Sequence, residues 1–321
     1  MKCRILTLVL LTIVAISFTH CNNTSTKETT NNKLTIFHAG SLSVPFKQMA
    51  EAFKLENPGV EILMEAGGSR KCARKISDLN KECDIMASAD YTVIDKLLIP
   101  AFAEWNIKFA SNEMALVYHD GSRFSDEISA ENWYEILLKD DVAFGRSDPN
   151  SDPCGYRAVL TTKLAEKHYA QEGLSEKLLA KDNNYIRPKE TDLLALLESN
   201  TIDYIYLYRS VAEQHHLNYV LLPDEINLKR PEKADFYKQV TVDISGKKAG
   251  EVITKKGEPM VYGITMVKNA PNKELAIKFL DYVLSEKGKS IMEKNGQPSM
   301  VGSISETYDA IPEQLKKYAI K

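Results

Sequence analysis

The sequence predicts an α/β protein built as two lobes with a ligand cleft between them. Three observations carry that reading. Short β-prone runs alternate with helical patterns from residue 33 onward, the arrangement that gives a parallel sheet with helices on its faces. Two apolar runs, near residues 113–118 and 260–267, sit where a chain leaving one lobe and returning to it would cross. The 321 residues are enough for two modest lobes. The expected boundaries are 33–114 and 262–321 for the first lobe and 115–261 for the second. Two independent domains fit the same pattern.

In chain order, Lys2 and Arg4 precede residues 5–18 (ILTLVLLTIVAISF), an almost unbroken apolar run. Spanning a bilayer takes about 20 residues, so the run suits the hydrophobic region of a secretory signal covering residues 1–20; an uncleaved signal anchor is the alternative. Cys21 follows, then a polar stretch to residue 32 with almost nothing to bury. A cysteine after an apolar signal and before a polar tether (21–32) is the pattern of a lipid-anchored, exported protein, with Cys21 as the lipidation site.

Residues 33–39 read as a strand that breaks at Gly40-Ser41. A helical pattern through Val44, Phe46, Met49, Phe53 and Leu55 follows, with Ser43 as N-cap, and residues 57–59 (NPG) end it. Residues 60–65 form a second strand, Gly67-Gly68-Ser69 a turn, residues 70–79 a helix and residues 84–88 a third strand. Further on, residues 142–145 and 204–208 read as strands and residues 156–169 and 191–198 as helices. Residues 260–267 form a last strand before two C-terminal helical patterns.

A net charge of −3 with interspersed acids and bases excludes the concentrated basic surface that nucleic acid requires. Outside the leader, Cys72, Cys83 and Cys154 permit at most one internal disulfide. Cys72 and Cys83 are close enough in sequence to pair, and packed free thiols are the alternative.

Candidate ligand groups cluster at strand-to-helix turns. At Gly40-Ser41, free backbone N–H groups and the positive end of a helix dipole converge. Gly40 permits close approach of a ligand, and the serine adds a hydroxyl. Gly68-Ser69 repeats the arrangement, and neighbouring parallel strands open their turns at one sheet edge, where such sheets bind ligands. The alternative for each is an ordinary turn with a serine cap. Residues 147–157 (SDPNSDPCGYR) precede a helix whose first amides, around Pro153, Cys154 and Gly155, would also face an anion. Asp152 suits a helix N-cap; as an anion-site residue it repels a dianion unless it ligates a metal centre inside that anion. The four basic residues at 70, 71, 74 and 75 read mostly as a solvated helix face, and His215-His216 as an exposed helix end.

Taken together, Phe37-His38-Ala39-Gly40-Ser41-Leu42, Gly68-Ser69, Ala87-Ser88-Ala89-Asp90-Tyr91, residues 147–157 and Tyr208-Arg209-Ser210-Val211-Ala212 resemble the archaeal-type molybdate/tungstate-binding proteins of the WtpA group, in the same order from about residue 33 to about 300. The resemblance implies a periplasmic-binding-protein fold, an ABC permease as partner, a molybdate or tungstate oxyanion as ligand, no cofactor and no catalysis by a monomeric chain. It implies that Gly40, Ser41, Ser69, Asp152, Pro153 and Cys154 line the oxyanion pocket. It also implies two carboxylates on the metal: Asp152 matches the first, and the position expected for the second holds Leu207. Rival readings are a binding protein for sulfate, phosphate or another anion, and an exported hydrolase using Ser41 or Ser69. For the hydrolase, no Gly-x-Ser-x-Gly elbow is present.

Overall fold

The computed structural model describes residues 32–321 apart from 247 and 249; the proposed signal and the lipidation site Cys21 lie outside the described residues. The strands in chain order are β1 (Lys33–Ala39), β2 (Glu61–Gly67), β3 (Ile85–Ser88), β4 (Ile107–Ser111), β5 (Met114–Tyr118), β6 (Phe144–Ser147), β7 (Ile186–Arg187), β8 (Tyr204–Tyr208), β9 (Asn218–Leu221), β10 (Thr241–Ser245), β11 (Val252–Lys256) and β12 (Val261–Met266). Five of them form one sheet in the order β2-β1-β3-β12-β4, and five form a second in the order β7-β6-β8-β5-β9. The chain passes from the first sheet to the second through Asn112 and Glu113, and returns after β11 to enter β12.

Both sheets are mixed rather than purely parallel. β1 runs parallel to β2 and β3, but β12 pairs antiparallel with β3 and β4. In the second sheet β6 is parallel to β7 and β8, while β5 is antiparallel to β8 and β9. The reason is topological: each strand that enters from the other lobe arrives from the opposite end of the sheet.

Helix α1 (Ser43–Glu56) buries Phe46, Met49 and Phe53 along one face. Phe46 meets Phe109 and Phe279 edge-on, and Phe53 meets Phe279 and Tyr282. Each such side chain contributes about 1.5–3 kcal/mol on burial. Leu55, grouped with this stripe in the sequence, lies off it and is 85% exposed. Ser43 is the first helical residue rather than the cap, and its hydroxyl donates to the Gly40 carbonyl at 2.7 Å. The helix stops where Asn57 donates back to Phe53 O and Gly59 takes a positive φ of 86°. Two further helices position the site: α2 (Ser69–Ser77) after β2 and α3 (Pro153–His168) after β6. The C-terminal helices α4 (Lys273–Leu284) and α5 (Glu286–Lys294) return to pack on α1.

Cys72, Cys83 and Cys154 are all buried and unpaired, so the pairing of Cys72 with Cys83 does not occur. Cys72 Sγ points to His38 O, and Cys83 Sγ to Ile85 O. The hairpin β10–β11 belongs to neither large sheet, and the sequence reading passed over it.

Candidate functional site between the sheets

Two walls meet at the site. The first is the C-terminal edge of the first sheet, where β1 and β2 run into helical turns. Ser41 is fully buried, its Oγ bonded to Tyr262 OH at 2.9 Å and its carbonyl to Gln297 Nε2 at 3.0 Å. Its N–H points across the gap and donates to Glu190 Oε1 at 2.7 Å. Ser69, also without exposure, accepts from Ala89 N at 3.0 Å. With that lone pair occupied, the Ser69 hydroxyl proton is the group left for donation.

The glycines belong here for steric reasons. A Cβ on Gly40 would lie 2.9 Å from Glu190 Oε1, and one on Gly68 would meet Ser151 O at 2.4 Å. Both are points where the second lobe presses on the first, and any larger residue would hold the walls apart.

The second wall is built by the second sheet. Asp152 caps α3: Oδ1 accepts from Cys154 N at 3.2 Å, and Pro153 occupies the first helical turn. Asp152 Oδ2 accepts from Glu190 N at 2.8 Å, fixing the turn at residues 190–193. Glu190 is fully buried. Its Oε2 meets no donor in hydrogen-bond geometry among the described residues. Burial pushes the Glu190 carboxyl well above its usual range, and the Asp152 carboxylate beside it pushes the same way. The Asp152 carboxyl is likewise raised by burial, which its bonds to Glu190 and Cys154 only partly offset. Two carboxyls this close in a dry space do not both ionise readily unless a cationic centre joins them.

Most of the residues singled out in the sequence gather here, with two changes of detail. The amides of Cys154 and Gly155 face Asp152's own side-chain and backbone oxygens, so α3's first turn is satisfied by its cap. Leu207 sits in the apolar core of the second sheet, paired with Ala115 of β5 and without exposure. The carboxyl that the fold puts beside Asp152 therefore comes from Glu190, not from the position of Leu207. Sequence reasoning missed Glu190 because a charged residue in an aperiodic turn carries no local sign of burial. The basic stretch also differs from expectation: Arg70 is buried and donates to Asn150 O at 3.1 Å, whereas Lys71 is exposed. Lys71 and Lys189 line a cavity of about 260 Å³ at the seam beside Gly67 and Gly68.

Neither serine is set up as a nucleophile. Ser41 Oγ faces a phenol and Ser69 Oγ a backbone amide, and the nearest sequence imidazole, His38, turns its Nδ1 to Ala39 O at 2.8 Å. His215 and His216 are exposed, and no group of three or more metal-ligating side chains occurs among the described residues. Among those residues no helix is long and apolar enough to cross a membrane.

Comparison with known proteins agrees with this architecture. Residues 34–297 match the model of the bacterial extracellular solute-binding protein family. The chain is 50% identical over 294 residues to a solute-binding protein of Petrotoga mobilis, covering 91% of each. It is 45% identical over 311 residues to the molybdate/tungstate-binding protein WtpA of Pyrococcus abyssi, covering 88% of this chain and 89% of that one. Among solved structures, the periplasmic molybdate-binding protein of Azotobacter vinelandii superposes with a TM-score of 0.62 at 16% identity, over 82% of this chain and 98% of that one. The sulfate-binding protein SubI of Mycobacterium tuberculosis superposes with a TM-score of 0.58 at 13% identity, over 84% and 87%. At such identities these two likenesses speak to the two-lobed fold. The chain belongs to the bacterial extracellular solute-binding protein family.

Proposed function

We propose that this protein captures molybdate or tungstate outside the cytoplasmic membrane and delivers it to an ABC permease. The observation that carries the reading is the buried Asp152–Glu190 carboxyl pair, which meets the Ser41 N–H from the other lobe, with Ser69 buried on the same wall as Ser41. Sulfate has no vacant coordination site and no proton to give a carboxylate, so two carboxylates in its pocket would only repel it. Molybdenum and tungsten expand from four ligands to six, and a carboxylate oxygen from each residue completes that shell. The 45% identity to the molybdate/tungstate-binding protein of Pyrococcus abyssi supports the same ligand.

On this reading Gly40, Ser41 and Ser69 receive the oxo groups, while Asp152 and Glu190 reach the metal. Pro153 and Cys154 shape and cap the turn that holds Asp152. The lobes are residues 33–114 with 262–321, and 115–261. Residues 1–20 direct export, and Cys21 holds the protein at the membrane through a lipid and the polar tether. Titration calorimetry with molybdate, tungstate, sulfate and phosphate tests the reading, together with X-ray absorption on the tungstate complex. Six ligands around tungsten and weak sulfate binding are expected. Equal affinity for all four anions, or four ligands around tungsten, would overturn it.

A further inference from the structure

A sealed site raises the question of what keeps it sealed. Ser41, Ser69 and Glu190 have no exposure and Asp152 has 1%, so an anion enters or leaves only when the two lobes part. The hairpin β10–β11 crosses their junction. It rests on the second lobe, where Lys163 of α3 donates to Thr241 O at 2.6 Å and Asn150 Oδ1 accepts from Ser245 N at 2.8 Å.

From there it grips the first lobe at two points. Arg70 and Arg74 of α2 donate to Ser245 O and to Gly246 O, the latter at 2.5 Å. Lys255 Nζ, on a side chain only 5% exposed, donates to Asp90 Oδ2 at 2.7 Å and to Thr92 Oγ1 at 2.7 Å. Asp90 follows β3 and is 2% exposed. It also accepts from Tyr156 OH of α3, and Arg157 donates alongside to Ala89 O at 2.7 Å. Ala89 is the residue whose N–H holds the Ser69 hydroxyl, so the cluster lies directly behind the anion site.

We propose that the β10–β11 hairpin is a clasp that holds the lobes closed and sets how long the anion stays bound, with the Lys255–Asp90 pair as its lock. The inference rests on the oxyanion reading for its ligand but not for its geometry. When the lobes part, both ions return to water. When they close, the two are buried against each other, with Lys255 also reaching Glu258 at 3.1 Å. Removing Lys255 takes from the buried Asp90 carboxylate the ion that pairs with it and leaves it the hydroxyl and amide donors of Tyr156 and Thr92 with Arg157 alongside, which disfavours closure. Lys255 and Asp90 are therefore positioning residues: they touch no ligand and act through the closed state.

The test compares Lys255→Met with Lys255→Arg. Methionine keeps the apolar stem that packs over the Tyr156 ring, whose centroid lies 5.1 Å from Nζ. Stopped-flow measurement of sodium molybdate release should show dissociation about 30-fold faster or more in Lys255→Met, with association changed less than about 3-fold and the loss largely rescued by arginine. A weaker affinity carried by slower association, or an unchanged release rate, overturns the clasp. Small-angle scattering of the ligand-free proteins supplies a second readout that needs no molybdate. If the unmutated protein does not bind molybdate, the oxyanion reading fails, and scattering decides the clasp alone. Lys255→Met should then be more expanded than the unmutated protein, and identical profiles overturn the proposal.

Discussion

On the wall built by the first sheet, Ser41 sends its N–H across the gap to Glu190, beside Gly40 and the buried Ser69 hydroxyl. On the wall built by the second, Asp152 and Glu190 turn carboxyls toward the same gap. Donors alone would bind any tetrahedral oxyanion, because every such ion presents acceptor oxygens in the same directions. Carboxyls alone would repel all of them. In the proposed function, selectivity would come from the opposition of the two walls, since an anion with a coordinatively expandable centre satisfies both.

The opposition is broken most severely by putting a carboxyl where the sequence resemblance expected one. Leu207→Glu would bury an unpaired charge in the second sheet's core and should cost about 3–5 kcal/mol of folding stability. Urea unfolding would show this as a lowered midpoint. A variant as stable as the unmutated protein with tighter tungstate binding would restore Leu207 to the site.

The two walls also differ in how acid acts on them. His38, on the first wall, is held down to about 4 by burial and by Lys189, against the pull of the Ala39 carbonyl. Its unfolded imidazole takes a proton near 6.5, so its contribution is complete above that pH and is lost as pH falls toward 4. The gap is worth about 3 kcal/mol at about 1.4 kcal/mol per pH unit. The carboxyl pair has the opposite sign. Raised acids keep their protons in the folded state after the unfolded chain has released them, so they favour folding at low pH and cost stability as pH rises. Thermal melting of the ligand-free protein should therefore fall on the acid side below about pH 6.5 through His38. His38→Gln should flatten that limb, and Glu190→Gln should flatten the loss on the other side. An acid limb unchanged in His38→Gln would show that this imidazole is not the group responsible.

Glu190→Gln also sharpens the comparison in binding. The amide keeps an acceptor for Ser41 N–H but loses the charge and the ligating oxygen. Molybdate affinity should drop about 100-fold, while sulfate, no longer repelled, should bind better. Calorimetry on the pair of anions checks both directions at once. Parallel losses for the two would mean that Glu190 maintains the pocket's shape rather than its selectivity.

What the sequence revealed divides along the same line. The turns at Gly40-Ser41 and Gly68-Ser69 were legible because a strand-to-helix turn is local: Gly-Ser after a β-prone run marks the start of a helix without knowledge of the rest of the chain. Asp152 was legible as a cap for the same reason, with Pro153 just inside the helix. Glu190 was not legible. It lies in a short turn between Pro188 and Leu193, and only the meeting of two lobes buries it. The hairpin carrying Lys255 did leave a trace, the alternation of Val240, Val242 and Ile244 ahead of Gly246. That trace reports a strand and says nothing about a lysine that crosses to the other lobe.

The smallest effect concerns the two serines, which look equivalent in sequence and are not equivalent in the fold. Ser69 presents its hydroxyl, with the lone pair engaged by Ala89 N and the proton left to donate. Ser41 gives its backbone N–H to Glu190 Oε1, a place an oxo group could take when the anion enters, while its hydroxyl shares a hydrogen bond with the Tyr262 phenol. Replacement by alanine removes a hydroxyl but leaves a backbone amide in place. Ser69→Ala should thus lose one hydrogen bond to a charged ligand, roughly 1.5–3 kcal/mol, and weaken molybdate binding about ten-fold or more. Ser41→Ala loses only the contact that steadies the turn against Tyr262, and should cost about three-fold or less. Calorimetry on the two variants separates the cases. Equal losses would place the Ser41 hydroxyl on the ligand, and the donor wall would then consist of two hydroxyls rather than one hydroxyl and one amide.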